Sequence, residues 1–236
     1  MTTPLDFWTM QRVSWSPSRG YAYRTVLVER KEINPLDREQ ANVLLEVASE
    51  DRLEALYVLA IHTGMREGEL LGLKWDDVDL ERGFPRLRHG LVREGGKTAL
   101  GDLKTPKSRR SVRLTRAAAK ASRSHLERQL EEMERMDSLY QPGGLVFATQ
   151  TGALINPSNL RNRSFKPLLK RAGLRDICFH DLRHTCATLL LSQGPHPKLV
   201  QELLGHATIA MTLDTYSHFL PSMGDQTVRA MDAALS

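Results

Sequence analysis

The alternation of apolar and polar positions predicts a helical chain from about residue 37 onward. Asp37, with Gln40 three residues later, resembles a capping box, and apolar residues at 41, 44, 45 and 47 then form a helical stripe. A second apolar helix over residues 53–61 stops at Gly64, because glycine readily adopts the left-handed conformation that ends helices. A short helix is expected over residues 67–73.

The pattern changes between residues 84 and 114, where short apolar segments are separated by turn residues. The turn at 94–97 contains two glycines and predicts a hairpin. Residues 103–105 and 111–114 indicate further strands on either side of a turn at 106–108. We therefore predict one small antiparallel sheet in this region.

Helical periodicity resumes after the sheet and continues into the C-terminal tail. The predicted helices cover residues 116–136, 158–170 with a bend at Pro167, 181–192, 197–204 and 209–216. Apolar residues at 228, 231 and 235 lie at near-helical spacing, whereas residues 1–32 lack clean periodicity. The predicted fold class is mainly α with a small antiparallel β-sheet (α+β).

Charge is concentrated in two stretches of the chain. The chain has 236 residues and a formal net charge of +5, yet ten Lys/Arg face only two acids between Arg86 and Arg116. Six more Lys/Arg and no acid lie between Arg161 and Arg175. Concentrated positive charge is typical of proteins that bind a polyphosphate backbone, and two solvated basic faces remain the alternative.

Cysteine content and hydropathy indicate a cytoplasmic, nucleoid-associated protein. Cys178 and Cys186 are too few for a disulfide framework, which favours a reducing compartment. The sequence contains neither an apolar run of membrane-spanning length nor a secretory signal at its N-terminus, so no membrane partner is expected.

Three segments carry candidate phosphate chemistry. Arg66 follows the end of a predicted helix, where taken alone it fits a surface arginine paired with Glu67 or Glu69 better than a phosphate ligand. Arg183 lies three residues after His180 at the start of another helix. Guanidinium groups bind phosphate oxygens in a bidentate manner. Tyr216 lies among Asp, Thr, Ser and His, a polar neighbourhood that we do not expect to pack as core. Its phenol, with a pKa of roughly 10, would need nearby cations and a base to act as a nucleophile.

The pair His180 and His184 also allows a metal hypothesis, because histidines four residues apart occur in zinc sites. However, position 181 is not Glu, Arg183 would lie beside the metal, and no third ligand is evident. We therefore predict no metal ligand.

These segments, in this order and spacing, resemble the catalytic domain of the tyrosine recombinase (phage integrase) family over about residues 33–221. Residues 63–70 resemble the segment with the first catalytic arginine, 103–110 the β-hairpin lysine motif, 180–184 the His-x-x-Arg box and 204–206 the second histidine. The resemblance implies the integrase catalytic-domain fold and six catalytic residues, which are Arg66, Lys104, His180, Arg183, His206 and Tyr216. It also implies that Glu69 supports Arg66. The DNA contacts predicted in the lysine motif are Lys107, Arg109 and Arg110.

The resemblance implies a mechanism in which Arg66, Arg183 and His206 bind one DNA phosphate while Tyr216 attacks it in line. His180 would assist proton transfer, and Lys104 would protonate the departing 5′-hydroxyl. The resulting 3′-phosphotyrosine keeps the energy of the phosphodiester, so another 5′-hydroxyl can reverse the step. The implied enzyme is a site-specific DNA recombinase or integrase that needs no ATP, metal or other cofactor.

The resemblance also implies double-stranded DNA as partner, a homo-tetramer on DNA that is a monomer or weak oligomer when free, and accessory DNA-bending proteins. Residues 1–32 are expected to form an N-terminal arm, because they are too few for the core-binding domain that usually precedes this catalytic domain. Residues 33–221 would be the catalytic domain, and 222–236 a tail that is a candidate protomer-exchange helix. The apolar stripe of the tail fits packing on its own domain equally well.

Three other functions fit parts of this pattern. A type IB topoisomerase shares the phosphate chemistry but relaxes supercoils without synapsis. A non-catalytic DNA-binding regulator would bind DNA in a salt-sensitive manner without a covalent adduct. A metallohydrolase would lose its activity to a chelator.

Overall fold

A computed structural model describes residues 33–94, 97–103, 109–217, 228 and 231–235 of the chain. Within these ranges the protein is mainly helical with small antiparallel sheets, which confirms the predicted fold class. The helices are α1 (Arg38–Ala48), α2 (Glu54–Thr63), α3 (Glu67–Leu71), α4 (Arg116–Met136), α5 (Pro157–Asn159), α6 (Lys166–Arg171), α7 (Asp181–Ser192), α8 (Pro197–Leu204) and α9 (Ile209–Tyr216). Short 3-10 helices cover Trp75–Asp77 and Asp137–Leu139, and residues 228 and 231–235 are also helical.

The strands form two sheets where one was predicted. They are β1 (Val78–Asp79), β2 (Phe84–Leu87), β3 (His89–Glu94), β4 (Lys97–Asp102) and β5 (Arg110–Ser111). An antiparallel sheet in the order β1-β2-β5 stands beside the β3-β4 hairpin, in which Glu94 pairs with Lys97 across the predicted turn. The chain thus returns from the hairpin to pair β5 with β2, and this places Arg110 next to the body of the domain.

Helix α2 lies at the centre of the larger hydrophobic core. Its sequence is apolar on every face, so it is buried all round and packs against α1, α4 and α7. Tyr57 is fully buried, stacks on Phe165 with ring centroids 6.0 Å apart, and satisfies its hydroxyl against Ser164 at 2.6 Å. This central helix ends at Gly64, so the loop that follows, which contains Arg66, begins at the edge of the core.

A smaller hydrophobic cluster joins α7, α8 and α9. Its buried members are Ala187 and Leu191 of α7, Val200 and Leu204 of α8, and Tyr216 of α9. Tyr216 is only 1% exposed. The expectation that this tyrosine lies outside the core is therefore wrong, because α9 turns it away from its polar neighbours and onto α7 and α8.

The helical stretch expected to bend at Pro167 departs from regular geometry before that residue. Leu160–Phe165 is a π-helix between α5 and α6, and Pro167 lies in the first turn of α6. Proline cannot donate a backbone hydrogen bond, and its ring collides with the carbonyl four residues earlier in a regular α-helix. The wider π turn lies where this conflict would arise.

Gly64 is required by both backbone and packing. Its φ is +61°, and a Cβ atom added there would lie 2.5 Å from Leu204 Cδ2 and 3.3 Å from Cys186 Sγ. Gly173 offers a matched comparison, because its φ is +65° but no atom lies within 4 Å of the added Cβ.

We expect Gly64→Ala to lower the free energy of unfolding by about 3 kcal/mol, through left-handed backbone strain together with overpacking. Gly173→Ala carries the backbone strain alone and should lower it by about 1 kcal/mol. Urea denaturation of both variants measures the difference. Equal losses would show that the contact with Leu204 is unimportant.

Candidate active site

The C-terminal end of α8 gathers three arginines. Its last carbonyls have no partner within the helix and carry the negative end of the helix dipole, so they attract cations. Three successive carbonyls accept hydrogen bonds: Leu203 from Arg110 Nε at 2.9 Å, Leu204 from Arg183 Nη2 at 2.8 Å, and Gly205 from Arg66 Nη2 at 3.3 Å. Residues that lie far apart in the sequence therefore meet at one helix end.

Arg183 is the most deeply buried of these cations. It is 3% exposed, and its second guanidinium nitrogen, Nη1, donates to Gly64 O at 2.6 Å. Arg183 therefore connects the end of α2 to the end of α8. Burial, aided by the charges of Arg66 and Arg110, lowers the pKa of Arg183 to about 10, so the side chain still carries its charge at neutral pH.

Glu69 holds the other two arginines. Its carboxylate is 3% exposed and accepts from Arg66 Nη1 at 2.8 Å, from Arg110 at 2.9 and 3.0 Å, and from the backbone N–H of Arg66 at 2.9 Å. Burial opposes the charge of Glu69, but hydrogen bonds and the charges of Arg110 and Arg66 outweigh it and lower the pKa of the carboxyl. Glu69 lies in the first turn of α3, and Arg66 is the N-cap of that helix. The bonds from Glu69 hold Arg66 in place, although the Arg66 side chain is still 40% exposed.

Arg110 does not lie where the sequence predicted. We expected a DNA contact, but its side chain is 9% exposed and is occupied by Glu69 and the Leu203 carbonyl. The pairing of β5 with β2 carries Arg110 to this buried carboxylate. The neighbouring Arg109 is exposed and donates to Leu103 O at 3.0 Å. Lys104 and Lys107 lie outside the described residues.

His206 lies beside these arginines in the loop after α8. Its Nδ1 is 2.9 Å from the buried Thr212 Oγ1, and Gln201 bonds both its backbone N–H and its carbonyl. Burial and the charges of Arg183 and Arg66 lower the pKa of His206 to about 4, so its imidazole is neutral at pH 7. The ring lies parallel to that of Tyr216, with centroids 6.4 Å apart.

The hydroxyl of Tyr216 contacts His184 and not His180. The distance from Tyr216 Oη to His184 Nδ1 is 2.7 Å, whereas His180 packs edge-to-face against the His184 ring at 4.9 Å. Burial raises the pKa of Tyr216 to about 12, although the charge of Arg183 opposes the shift. The structure thus brings Arg66, Arg183, His206 and Tyr216 to one end of α8. His180 packs against the ring of His184, which in turn contacts the Tyr216 hydroxyl.

Sequence reasoning missed three positioning residues, namely His184, Gln201 and Thr212. His184 was considered only as a metal ligand, although its position after Arg183 and four residues after His180 was a usable signal. Gln201 and Thr212 gave no signal, because their role depends on the turn between α8 and α9. Across the described ranges, His, Cys, Asp and Glu form no group of three or more that could hold a metal ion.

Part of the predicted basic stretch lines a cavity of about 520 Å³ beside the hairpin. Arg86, Arg88 and Arg109 are exposed there, and Arg88 pairs with the buried Asp77 at 3.3 Å. Four arginines against the single acid Asp102 make this lining cationic, and Arg110 belongs to it. None of the helices in the described part of the chain has the length and apolar character needed to cross a membrane.

Glu69→Gln tests the buried carboxylate, and we expect it to lower the free energy of unfolding at pH 7 by about 3 kcal/mol. The folded pKa lies below the unfolded value of 4.5, so the stabilisation is present above about pH 4.5 and is lost as pH falls through the folded pKa. The difference between wild type and variant should therefore narrow in acid. Urea unfolding at pH 7 and pH 3 measures it, and a difference independent of pH would contradict this role.

Arg110→Gln and Arg109→Gln form a matched pair. Arg110→Gln leaves Glu69 short of a charged partner and should lower the free energy of unfolding by about 3 kcal/mol. Arg109→Gln should change stability by less than about 0.5 kcal/mol. It should instead weaken DNA binding and reduce the salt slope by about 1. Urea unfolding and salt-dependent binding measure both effects, and equal stability of the two variants would refute the buried role of Arg110.

The sequence and the fold of this chain are similar to those of known proteins. A tyrosine recombinase XerC-like protein of Caldanaerobacter subterraneus subsp. tengcongensis is 36% identical over 213 residues, covering 85% of this chain and 54% of the relative. Tn1549 transposon integrase, in complex with transposon right end DNA, matches with a TM-score of 0.72 at 22% identity, over 89% of this chain and 69% of that chain. XerH site-specific recombinase, bound to palindromic difH substrate in a post-cleavage complex, matches with a TM-score of 0.62 at 29% identity, over 86% of this chain and 54% of that chain.

The chain spans about half the length of the curated relatives that it matches. The family model described as the phage integrase family matches residues 34–222, which is most of the chain. This chain therefore belongs to the phage integrase family of tyrosine recombinases.

Proposed function

We propose that this chain cuts and rejoins DNA strands in site-specific recombination, through a 3′-phosphotyrosine intermediate on Tyr216. The observation that carries the proposal is the meeting of Arg66, Arg183, His206 and Tyr216 at the C-terminal end of α8. Two fixed guanidinium groups, a neutral imidazole and a phenol match the needs of phosphodiester attack by tyrosine.

The phosphate would bind next to the α8 end. Arg66 offers its partly exposed guanidinium, and Arg183 offers the N–H groups that Gly64 and Leu204 do not use. Thr212 holds Nδ1 of His206, and the Nε2 of this ring has no hydrogen-bond partner among the described residues. These three groups would bind the non-bridging oxygens and stabilise the charge that develops as Tyr216 attacks.

Strand cleavage then needs an acid for the departing 5′-oxygen. We propose Lys104 for this role, because residues 103–110 resemble the lysine motif of the family, and His180, at the start of α7, would assist proton transfer in the site. Rejoining is the same reaction in reverse, because the phosphotyrosine ester keeps the energy of the original phosphodiester. No ATP, metal or other cofactor enters either step.

Double-stranded DNA is the proposed partner, in the cytoplasm and associated with the nucleoid. The exposed Arg86, Arg88 and Arg109 and the likeness to XerH, whose structure contains its DNA substrate, support this proposal. We further propose a homo-tetramer on DNA, assisted by accessory DNA-bending proteins. Val228, Met231 and Leu235 in the tail are exposed, which fits a segment that packs on a neighbouring protomer.

Covalent trapping tests the chemistry. Nicked duplexes drawn from the DNA that flanks the gene of this protein are incubated with the protein and then denatured. We expect a protein–DNA adduct that maps to Tyr216, persists in EDTA and is absent in Tyr216→Phe. The variant should stay folded, because it loses one hydrogen bond of about 1 kcal/mol.

The other results identify the alternatives. Salt-sensitive DNA binding without an adduct would indicate a DNA-binding regulator and contradict the proposal. An adduct accompanied by supercoil relaxation but no recombinant product would indicate a topoisomerase. Activity that disappears in EDTA would indicate a metallohydrolase.

A further inference from the structure

His184 contacts the reacting oxygen of Tyr216, and this contact has no place in the mechanism given above. The 2.7 Å distance between Tyr216 Oη and His184 Nδ1 is that of a strong hydrogen bond. The two rings are tilted by 58° with centroids 5.6 Å apart, so the contact is made through the nitrogen and not through stacking.

The tyrosine is the donor in this hydrogen bond. Tyr216 is 1% exposed, and its hydroxyl has no other acceptor among the described residues. A buried hydroxyl proton needs an acceptor, and a neutral imidazole offers one ring nitrogen for that purpose. Burial, together with the charges of His180 and Arg183, lowers the pKa of His184 to about 4, so the ring is neutral at pH 7. Its Nδ1 therefore accepts while Nε2 carries the proton.

We propose that His184 orients the Tyr216 hydroxyl and takes its proton when the phenol attacks the scissile phosphate. This inference rests on the proposed function. The tyrosine proton moves to His184 Nδ1, and the phenolate oxygen forms a bond to phosphorus as the bond from phosphorus to the 5′-oxygen breaks. The 5′-oxygen leaves as a hydroxyl with a proton from the acid of the site. Rejoining returns the proton from His184 to Tyr216.

The charges around His184 link its basicity to the substrate. The groups that face it are His180, Asp181 and Arg183 on its own helix, Tyr216 on α9, and His206 in the loop before α9. The positive charge of Arg183 disfavours protonation of His184. A phosphate bound to Arg183 would offset that charge and favour protonation of His184. His184 thus becomes a better base when the phosphate is in place.

Single-turnover cleavage of the nicked duplex, followed from pH 5 to pH 9, tests the inference. His184→Asn keeps an acceptor oxygen near the position of Nδ1 but cannot take a proton, and His184→Phe removes both functions. We expect cleavage to slow about 100-fold in His184→Asn and further in His184→Phe, with loss of the acid limb of the pH profile in both. DNA affinity should not change.

A matched control and a modified substrate separate this role from general damage. His196→Asn is the same substitution at an exposed helix cap, where asparagine caps well, and should cleave at the wild-type rate. A duplex with sulfur in place of the bridging 5′-oxygen needs no acid for its leaving group. It should rescue Lys104→Ala but not the His184 variants, because their defect lies at the nucleophile.

Two results would overturn the inference while leaving the proposed function intact. One is cleavage by His184→Phe at the wild-type rate or faster, which would show that the hydrogen bond only holds the tyrosine side chain in place and does not assist the attack. The other is rescue of the His184 variants by the sulfur substrate. If the wild-type protein forms no adduct, the proposed function fails. Even then, ¹⁵N NMR of His184 in the wild type and in Tyr216→Phe reports whether His184 Nδ1 accepts the hydrogen bond from Tyr216.

Discussion

The C-terminal end of α8 is the constraint on which the rest of the site depends. An α-helix leaves its last carbonyls unpaired, and here three of them in succession are each used by a different arginine. These arginines come from the loop after α2, from β5 and from α7. Hydrogen bonds within the protein therefore fix Arg66 and Arg183 at this helix end.

Charge is divided in the site between groups that stay ionised and groups that stay neutral. Arg66 and Arg110 form an ionic cluster around the buried carboxylate of Glu69, and Arg183 donates to the backbone carbonyls of Gly64 and Leu204. Around them, His184 and His206 have lowered pKa values and remain neutral. Fixed cations suit the binding of phosphate. A neutral imidazole can either donate a hydrogen bond to that phosphate, as proposed for His206, or accept a proton, as proposed for His184.

Local pattern predicted most helices and the residues that begin or end them, because capping and termination depend on neighbours in sequence. Gly64 ended α2 as expected, and α7, α8 and α9 have the predicted bounds. The division into two sheets was missed, since pairing of β5 with β2 depends on contacts far along the chain. The same pairing explains Arg110, whose partners Glu69 and Leu203 lie 41 and 93 residues away. Family resemblance pointed to Arg66, Arg183, His206 and Tyr216, whose catalytic roles stay a prediction, but gave no hint that His184 contacts the phenol.

The two hydrogen bonds of Arg183, to Gly64 and to Leu204, affect which substitutions could inactivate such a protein during evolution. Its guanidinium ties the ends of α2 and α8 together, so under the proposed function a substitution there would remove phosphate binding and folding stability at once. Replacement of Tyr216 by phenylalanine keeps the ring that fills the small cluster and removes only a hydroxyl. If the proposed function holds, inactive descendants that keep the fold should therefore arise by replacement of the tyrosine more readily than by replacement of this arginine.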